Sequence, residues 1–335
     1  MRASAIVLAH GAEPTLVSCV SALLASTEVP EVIVVDNEAA PDSVAQVVAM
    51  PGVAVLTPGA NLGYAGGCNF AAEQARGDVL VFVNSDAIVE PGAIAALCAR
   101  VAEPGVALAC ASVRLAGTPD LLNTAGNPVH FLMFSWVGDL GALAADHSTP
   151  RDVASITGVT FAVRRSVWEG LGGFDQEYFA YCEDVYLSLR AWQAGYRVVF
   201  EPTAVVHHHY EFHRHAAKNY LLERNRLMNL VLLPELRTRR LLLLPAAAVE
   251  LGVLLVAIRD GWAGQKVAGW RWLLAHRGDL TRRRAAIQAA RQVPDRDLAA
   301  LLRGPLDPPA GLGPAVPPVV SRVLDRYWAW VVRRL

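Results

Sequence analysis

At 335 residues the chain has room for one large α/β domain with a smaller appendage, or for two ordinary domains. Hydrophobic residues make up 53% and charged residues 18%, which argues against long disordered tracts and leaves membrane contact open. The formal net charge of −1 hides an asymmetry: residues 1–210 hold 9 basic against 21 acidic side chains, hence −12, and residues 211–335 hold 21 against 10, hence +11.

The five cysteines (Cys19, Cys68, Cys98, Cys110, Cys182) are scattered without a paired C-x-x-C spacing, which argues against a zinc site or a disulfide scaffold. The opening run through Ala5-Ile-Val-Leu8 has no basic n-region or cleavage site of a secretory signal, so a cytosolic start is expected. Ala3–Ala9, Glu31–Val35, Val53–Leu56 and Val79–Val83 are short apolar or β-branched runs, and helical patterns such as Thr15–Leu24 and Ser43–Met50 lie between them. Strands alternating with helices predict βαβ units and a buried, mainly parallel sheet flanked by helices, a Rossmann-like α/β domain. Ligands of such sheets bind beyond the carboxyl ends of the strands, so the residues after each strand carry the expectation of chemistry.

After the first strand come His10 and Glu13; after the second, Asp36-Asn37; after the third, a loop Asn61-Leu-Gly-Tyr-Ala-Gly-Gly-Cys-Asn69; after the fourth, Asn84-Ser85-Asp86. Glycines 63, 66 and 67 let backbone pass close to a ligand, and a helix over Phe70–Arg76 would aim its N-terminus at a bound phosphate. Residues 117–148 read as a long Gly-rich irregular loop, hence a lid or binding loop. Asp152–Arg164 is a strand region around a Thr157-Gly158 turn, Leu171–Asp175 a turn, Glu183–Ala194 a helix, and Val198–Val206 a last strand broken at Pro202. Past Tyr210 the pattern turns to long helices: Ala217–Leu233, the apolar Leu241–Ile258, Arg-rich Arg271–Arg284, a Pro/Gly-rich linker Gly304–Pro318 and a closing Val319–Leu335. Two domains are expected, 1–210 and 211–335.

Asp86 offers a carboxylate for a hard divalent cation, although an Asn-x-Asp triplet is also what a polar turn capping a strand looks like. Asp36 either caps the next helix or reads a ribose or base, with Glu13 able to serve beside it. Glu183-Asp184 opens a helix after the aromatic run Tyr178–Tyr181; capping accounts for one acid, and the other can face a cleft as a general base. His207-His208-His209 ends the last strand, where alternation lets His207 and His209 share a face and supply a metal ligand.

The ordered series Val35-Asp-Asn37, Asn61–Asn69, Asn84-Ser-Asp86, Gly172-Gly-Phe-Asp175, Tyr181-Cys-Glu-Asp184 and Val206-His207 resembles family 2 glycosyltransferases, in particular their bacterial rhamnosyltransferase-like branch, over residues 3–230. The resemblance implies a GT-A fold and inverting, Mg²⁺- or Mn²⁺-dependent transfer of a sugar, with rhamnose the candidate. The donor would be a nucleotide-diphosphate sugar and the acceptor a lipid-linked or cell-envelope glycan, polyprenyl-linked glycans included. It also implies that Asp36 contacts the nucleoside, Asp86 belongs to a D-x-D metal site, Asp184 is the catalytic base with Glu183 next in line, and His207 lies near metal and diphosphate. His10, Glu13, Asn61, Gly66, Gly67, Asn69, Asn84 and Ser85 complete the expected donor-binding set. Asn84 stands where the first D-x-D acid would be, and an amide is a poorer cation ligand than a carboxylate.

Leu241–Ile258 has the length of a marginal membrane span, but Pro245 and Glu250 inside it make a crossing expensive. An interfacial or re-entrant helix flanked by arginines is favoured over a helix buried in the protein and over a true span. Trp262, Trp270, Trp272, Trp328 and Trp330 fit either an interface or an ordinary core. The basic tail suits an anionic membrane surface at the cytoplasmic face of the plasma membrane, not nucleic acid, and a homo-oligomer is left open. Two other readings stand. A nucleotidyltransferase also uses such a sheet, but His10-Gly-Ala-Glu-Pro14 holds no Lys or Arg to grip a triphosphate. A non-catalytic, membrane-associated sugar-nucleotide-binding protein would show neither donor hydrolysis nor transfer.

Overall fold

The computed structural model describes residues 1–29, 31–209, 217–309 and 316–335. The boundary expected at 210/211 and part of the linker expected over Gly304–Pro318 lie outside the described residues. The chain folds as two compact units: one holds residues 1–127, 137–191 and 196–209, the other 128–136, 192–195 and the described residues from 217 onward.

In chain order the elements are β1 (Ala3–Gly11), α1 (Leu16–Leu24), β2 (Glu31–Ala39), α2 (Pro41–Val48), β3 (Val53–Leu56), α3 (Gly63–Gln74), β4 (Val79–Asn84), β5 (Ala87–Val89), α4 (Ala93–Ala102), β6 (Val106–Leu115) and β7 (Thr118–Thr124). There follow β8 (Val129–His130, in the second unit), β9 (Arg151–Asp152), β10 (Thr160–Arg164), α5 (Arg165–Leu171), α6 (Glu183–Gln193) and β11 (Arg197–His208). One sheet runs β3-β2-β1-β4-β10-β6-β11-β5, with β7 on β6 and β9 on β11. The first four strands are parallel, as βαβ alternation requires. β10 reverses the direction between β4 and β6, and β11 returns parallel to β6. Val79–Val83 and Val106–Val113 are buried throughout, the mark of strands covered on both faces.

Register decides what the sheet edge presents. Leu8 pairs with both Val35 and Asn84, and Ala9 with Asp36, so His10, Asp36 and Asn84–Asp86 stand at one level of the sheet, with β2 running on past the expected end at Val35 to Ala39. Beneath, Phe82 lies 4.8 Å from Phe161 and 4.7 Å from Trp168, and Trp168 lies 5.1 Å from Phe174, between ring centroids. These rings give the turn at Gly172–Asp175 a rigid floor.

The Gly-rich stretch expected as a loop ahead of a Phe70–Arg76 helix is itself helix, since α3 begins at Gly63. Its entry is held by side chains: Asn37 Oδ1 accepts from Leu62 N at 2.8 Å and Asn61 Oδ1 from Gly63 N at 2.9 Å. A Cβ on Gly67 would strike the Leu8 side chain of β1, so this glycine sets close helix–sheet packing, and Gly66 sits with its would-be Cβ 2.9 Å from Leu62 Cβ. Gly63 has φ +68°, and a Cβ there would overlap the Phe179 carbonyl. Gly63→Ala is therefore expected to cost about 2–4 kcal/mol from strain and overlap, read as a clear drop in thermal midpoint. A variant melting with wild type would show that α3 does not seat there.

Residues 117–148, expected as one irregular lid, are instead divided. Thr118–Thr124 forms β7, antiparallel on β6, and residues 128–136 belong to the second unit.

The second unit adds α7 (Lys218–Leu232), α8 (Leu236–Arg259), α9 (Ala263–Ala275), α10 (Arg277–Ala290), α11 (Asp295–Leu298), β12 (Leu302–Arg303, parallel to β8) and α12 (Pro318–Val332). A charge cluster lies inside it. Lys266 of α9 is 0% exposed and pairs with Glu223 of α7 and, at 2.7 Å, with Glu250 of α8; Arg226 pairs with both acids as well. Trp270 Nε1 donates to Glu250 Oε2 at 2.7 Å. Two cations against two carboxylates, each hydrogen-bonded, leave no bare charge in this interior.

Candidate active site

Two groups of polar side chains stand at the sheet edge of the first unit, joined by one loop. In the first, the backbone of Asn84–Asp86 is pinned from three sides. Asn84 N donates to Val159 O at 2.8 Å, Thr15 Oγ1 to Ser85 O at 3.0 Å, and His209 N to Asp86 O at 2.8 Å. That fixes where the Asp86 carboxylate emerges, about a third exposed. Glu13 hydrogen-bonds Ser85; burial raises its pKa, an effect the Ser85 and His10 hydrogen bonds offset and the Asp86 charge reinforces.

The imidazole beside Asp86 is His208, not the expected His207. His208 Nε2 lies 3.1 Å from Asp86 Oδ1, whereas His207 Nε2 contacts Glu90 Oε1 at 2.6 Å. The reason lies in β11. Its pairing with β6 shifts between Glu201 and Val205, and after the shift Ala204, Val206 and His208 are the buried face. His208 Nδ1 is 3.0 Å from Asn123 Oδ1. A neutral ring donating there turns its Nε2 lone pair toward Asp86, where a cation shared with the carboxylate would complete the arrangement. One carboxylate and one imidazole would be two ligands for a divalent cation such as Mg²⁺ or Mn²⁺, and among the described residues no third acid, histidine or cysteine joins them.

On the β2 side, Asn37 is the hub: its Nδ2 donates to Asn61 Oδ1 at 3.0 Å and its carbonyl meets His10 Nδ1 at 2.8 Å. Asp36 Oδ1 closes a turn by accepting from Ala39 N at 3.0 Å; Oδ2 has no protein partner among the described residues. Asn69 is occupied by protein, donating to Phe174 O at 2.7 Å and accepting from Phe174 N at 3.0 Å, which ties α3 to the Gly172–Asp175 turn.

The second group surrounds the start of α6. Asp184 is half-buried, its Oδ1 accepting from Val185 N at 2.8 Å and its Oδ2 facing Asn127 Nδ2 at 3.5 Å. Burial pushes its pKa up to about 6, against the pull of hydrogen bonds from Val185 and Gly158 among others. Glu183 is buried, its Oε2 has no hydrogen-bond partner among the described residues, and burial together with the Asp184 charge pushes it up to about 8. Of the two coupled acids Glu183 is held the more strongly toward its neutral form, and Asp184 is the one within reach of solvent. The approach to α6 is strained: Phe179, Tyr181 and Cys182 all have φ between 61° and 71°, and Ala180 N bonds Tyr178 O across a tight turn at 2.7 Å.

Gly158 joins the groups. Its backbone pulls the Asp184 pKa down against burial, its carbonyl accepts from Tyr64 Oη at 2.8 Å, and the next residue, Val159, holds Asn84. Sequence reading took Thr157-Gly158 only as a turn and assigned no role to Asn37, Thr15, Tyr64, Asn123 or Asn127. The acids could be found by their place, Asp36 and Asp86 near strand ends and Glu183-Asp184 at a helix start; the residues that surround them, such as Asn37 on β2, Tyr64 on α3 and Asn123 on β7, are distant in sequence.

Residues 4–172 match the family described as "Glycosyl transferase family 2". The chain belongs to this glycosyltransferase family. Relatives of the glycosyltransferase include the O-antigen biosynthesis protein RfbC of Myxococcus xanthus, 31% identical over 204 residues that cover 56% of this chain and 16% of that protein. Another is the N-acetylglucosaminyl-diphospho-decaprenol L-rhamnosyltransferase of Mycobacterium tuberculosis, 46% identical over 59 residues, 18% of this chain and 19% of that one. The chain thus spans less than a fifth of the length of either relative in the matched region. Among solved structures, GalNAc-T7 with UDP, GalNAc and Mn²⁺ superposes with TM-score 0.59 at 17% identity, covering 69% of this chain and 48% of that one. TarS 1-349 of S. aureus superposes at 0.51 with 14% identity, covering 99% and 90%. The fold is GT-A: a central sheet flanked by helices, followed by a helical region.

Proposed function

We propose that the glycosyltransferase catalyses an inverting transfer of a sugar, with rhamnose the candidate, from a nucleotide-diphosphate donor to a polyprenyl-linked or cell-envelope glycan. The observation that supports this reading is the loop Gly158-Val159: Val159 O accepts from Asn84 N at the strand end bearing Asp86, and the Gly158 backbone favours the charged form of the partly open Asp184. A single displacement needs both at one place: a base for the acceptor hydroxyl and positive charge for the departing diphosphate. The acceptor oxygen bonds to the anomeric carbon as the bond from that carbon to the phosphate oxygen breaks, Asp184 takes the hydroxyl proton, and the diphosphate leaves with the electron pair. Asp86 and His208 would hold Mg²⁺ or Mn²⁺, which when bound supplies charge neutralisation at the diphosphate. Asp36, with Glu13 and His10 along the same edge, would receive the nucleoside. Asn61 and Asn69 act by positioning α3 and the Gly172–Asp175 turn. The names of the relatives support a lipid-linked acceptor, and crystallisation of GalNAc-T7 with UDP and Mn²⁺ supports the donor and metal classes. The test is a thermal-shift screen of nucleotide-diphosphate sugars with and without Mn²⁺, in which a metal-dependent rise is expected for one donor. No rise with any would remove the donor site.

Residence at an anionic membrane surface belongs to the same reading. α8 is long and apolar enough to cross a membrane, with mean hydropathy 2.5 and 17% of its apolar window buried. Its outward stripe is Leu243, Leu244, Leu251, Leu255 and Ile258, with Arg237 and Arg240 exposed at one end and Arg259 at the other. Glu250 is turned inward onto Arg226 and Lys266, which suits a helix lying in the headgroup region with one wet and one greasy side. Of the tryptophans that fitted either an interface or a core, two serve the interior: Trp328 stacks on Phe131 and Trp270 bonds Glu250. Leu251→Glu with Leu255→Glu is expected to abolish flotation with acidic liposomes at low salt. Flotation equal to wild type would take the membrane contact away from α8.

A further inference from the structure

The second unit holds an open cavity of about 700 Å³ lined by residues of α8, α10 and the segments that follow α7 and α10. Three guanidiniums line it, those of Arg239, Arg284 and Arg291, against the single carboxylate of Glu235. That acid is already committed: Glu235 Oε2 accepts from Asp295 N at 2.7 Å, and Asp295 in return accepts from Glu235 N at 2.7 Å. Asp295 also pairs with Arg291 at 2.5 Å. The other two arginines are not neutralised. Arg284 Nη1 donates to the carbonyls of Val231 and Leu232 at the end of α7, which caps the helix and does not cancel the charge. Arg239 makes no side-chain hydrogen bond or ion pair with the described residues. Arg291 Nε is buried and without a hydrogen-bond partner among the described residues. Burial, then the charges of Arg239 and Arg291, hold Arg284 below its ordinary value, with Asp295 offsetting in part.

We infer that this cavity binds a phosphoryl group, with Arg239 and Arg284 as its principal cations and the Arg291 Nε–H as a further donor. Guanidiniums match phosphate oxygens in geometry as well as charge, and Gln288 and Thr281 on the wall add polar groups. The ligand is a free diphosphate or the phosphate headgroup of a lipid; Leu236 on the rim and the exposed Leu243, four residues on from Arg239, make either an amphiphile or a small anion fit the chemistry. The site is separate from the sugar-transfer reading and does not depend on it.

The experiment uses full-length protein. Thermal unfolding is followed during titration with pyrophosphate in EDTA, and flotation is measured with phosphatidylcholine vesicles with and without phosphatidic acid. Wild type is compared with Arg239→Glu, with the milder Arg239→Gln, and with Arg76→Glu, which makes the same charge change at an exposed residue of the first unit, outside α8. Stabilisation by pyrophosphate that needs at least tenfold more ligand in Arg239→Glu, and not in Arg76→Glu, identifies a free diphosphate. Phosphatidic-acid-dependent flotation lost in the same pattern, without a pyrophosphate response, identifies a lipid headgroup. Absence of both responses in wild type, survival of either in both Arg239 variants, or an equal loss in Arg76→Glu overturns the assignment.

Discussion

Asp184→Asn lowers turnover by roughly 10²–10⁴-fold, the range for loss of a general base, and leaves donor affinity unchanged. The amide keeps the size of the carboxylate and can still accept from Val185 N, but it cannot take the acceptor proton. Glu183→Gln is expected to be far milder, because burial and the Asp184 charge hold Glu183 toward its neutral form. The pH profile separates the two acids further. The base works ionised and its pKa is raised to about 6, so activity is present above that value and falls away as pH drops through it. An acid limb near the ordinary aspartate range, or wild-type turnover in Asp184→Asn, would take Asp184 out of the reaction.

Asp86→Ala weakens donor affinity and turnover together, by roughly a hundredfold or more in kcat/KM, since charge neutralisation at a diphosphate is worth several kcal/mol. EDTA should reproduce the loss in wild type and add nothing to the variant. His208→Ala is expected to follow Asp86→Ala in donor affinity, and His207→Ala is not, because His207 faces Glu90. Equal donor affinity in EDTA and in Mn²⁺ would refute the metal assignment, whichever histidine is changed.

The first half of the sheet was legible because its strands are continuous β-branched runs separated by helical patterns, and each leaves a polar residue at its end. β6 was not, although it lies in the middle of the sheet. Its buried run alternates Val106, Leu108 and Cys110 with Ala107, Ala109 and Ala111, alanines without strand preference that only tertiary packing makes strand. The start of α3 was hidden for a related reason: its glycines argue against helix locally, and the Asn37 and Asn61 side chains that hold its first turn are contacts no local pattern reveals. Asp86 and Asp184 could be picked out by position, but the histidine beside Asp86 depended on a register shift in β11 that period-two counting cannot see. The inward turn of Glu250 was equally out of reach, since its partners Arg226 and Lys266 lie on α7 and α9.

The central claim is sugar transfer from a nucleotide-diphosphate donor, and the products identify the reaction directly. Incubation of the full-length protein with a nucleotide-diphosphate sugar, Mn²⁺ and a polyprenyl-linked glycan, with both products analysed, is the decisive measurement. The account predicts nucleoside diphosphate and extended glycan in equal amounts, with the anomeric configuration of the sugar inverted. Release of pyrophosphate from a nucleoside triphosphate, retention of configuration, or donor binding without turnover across the donor panel would contradict it.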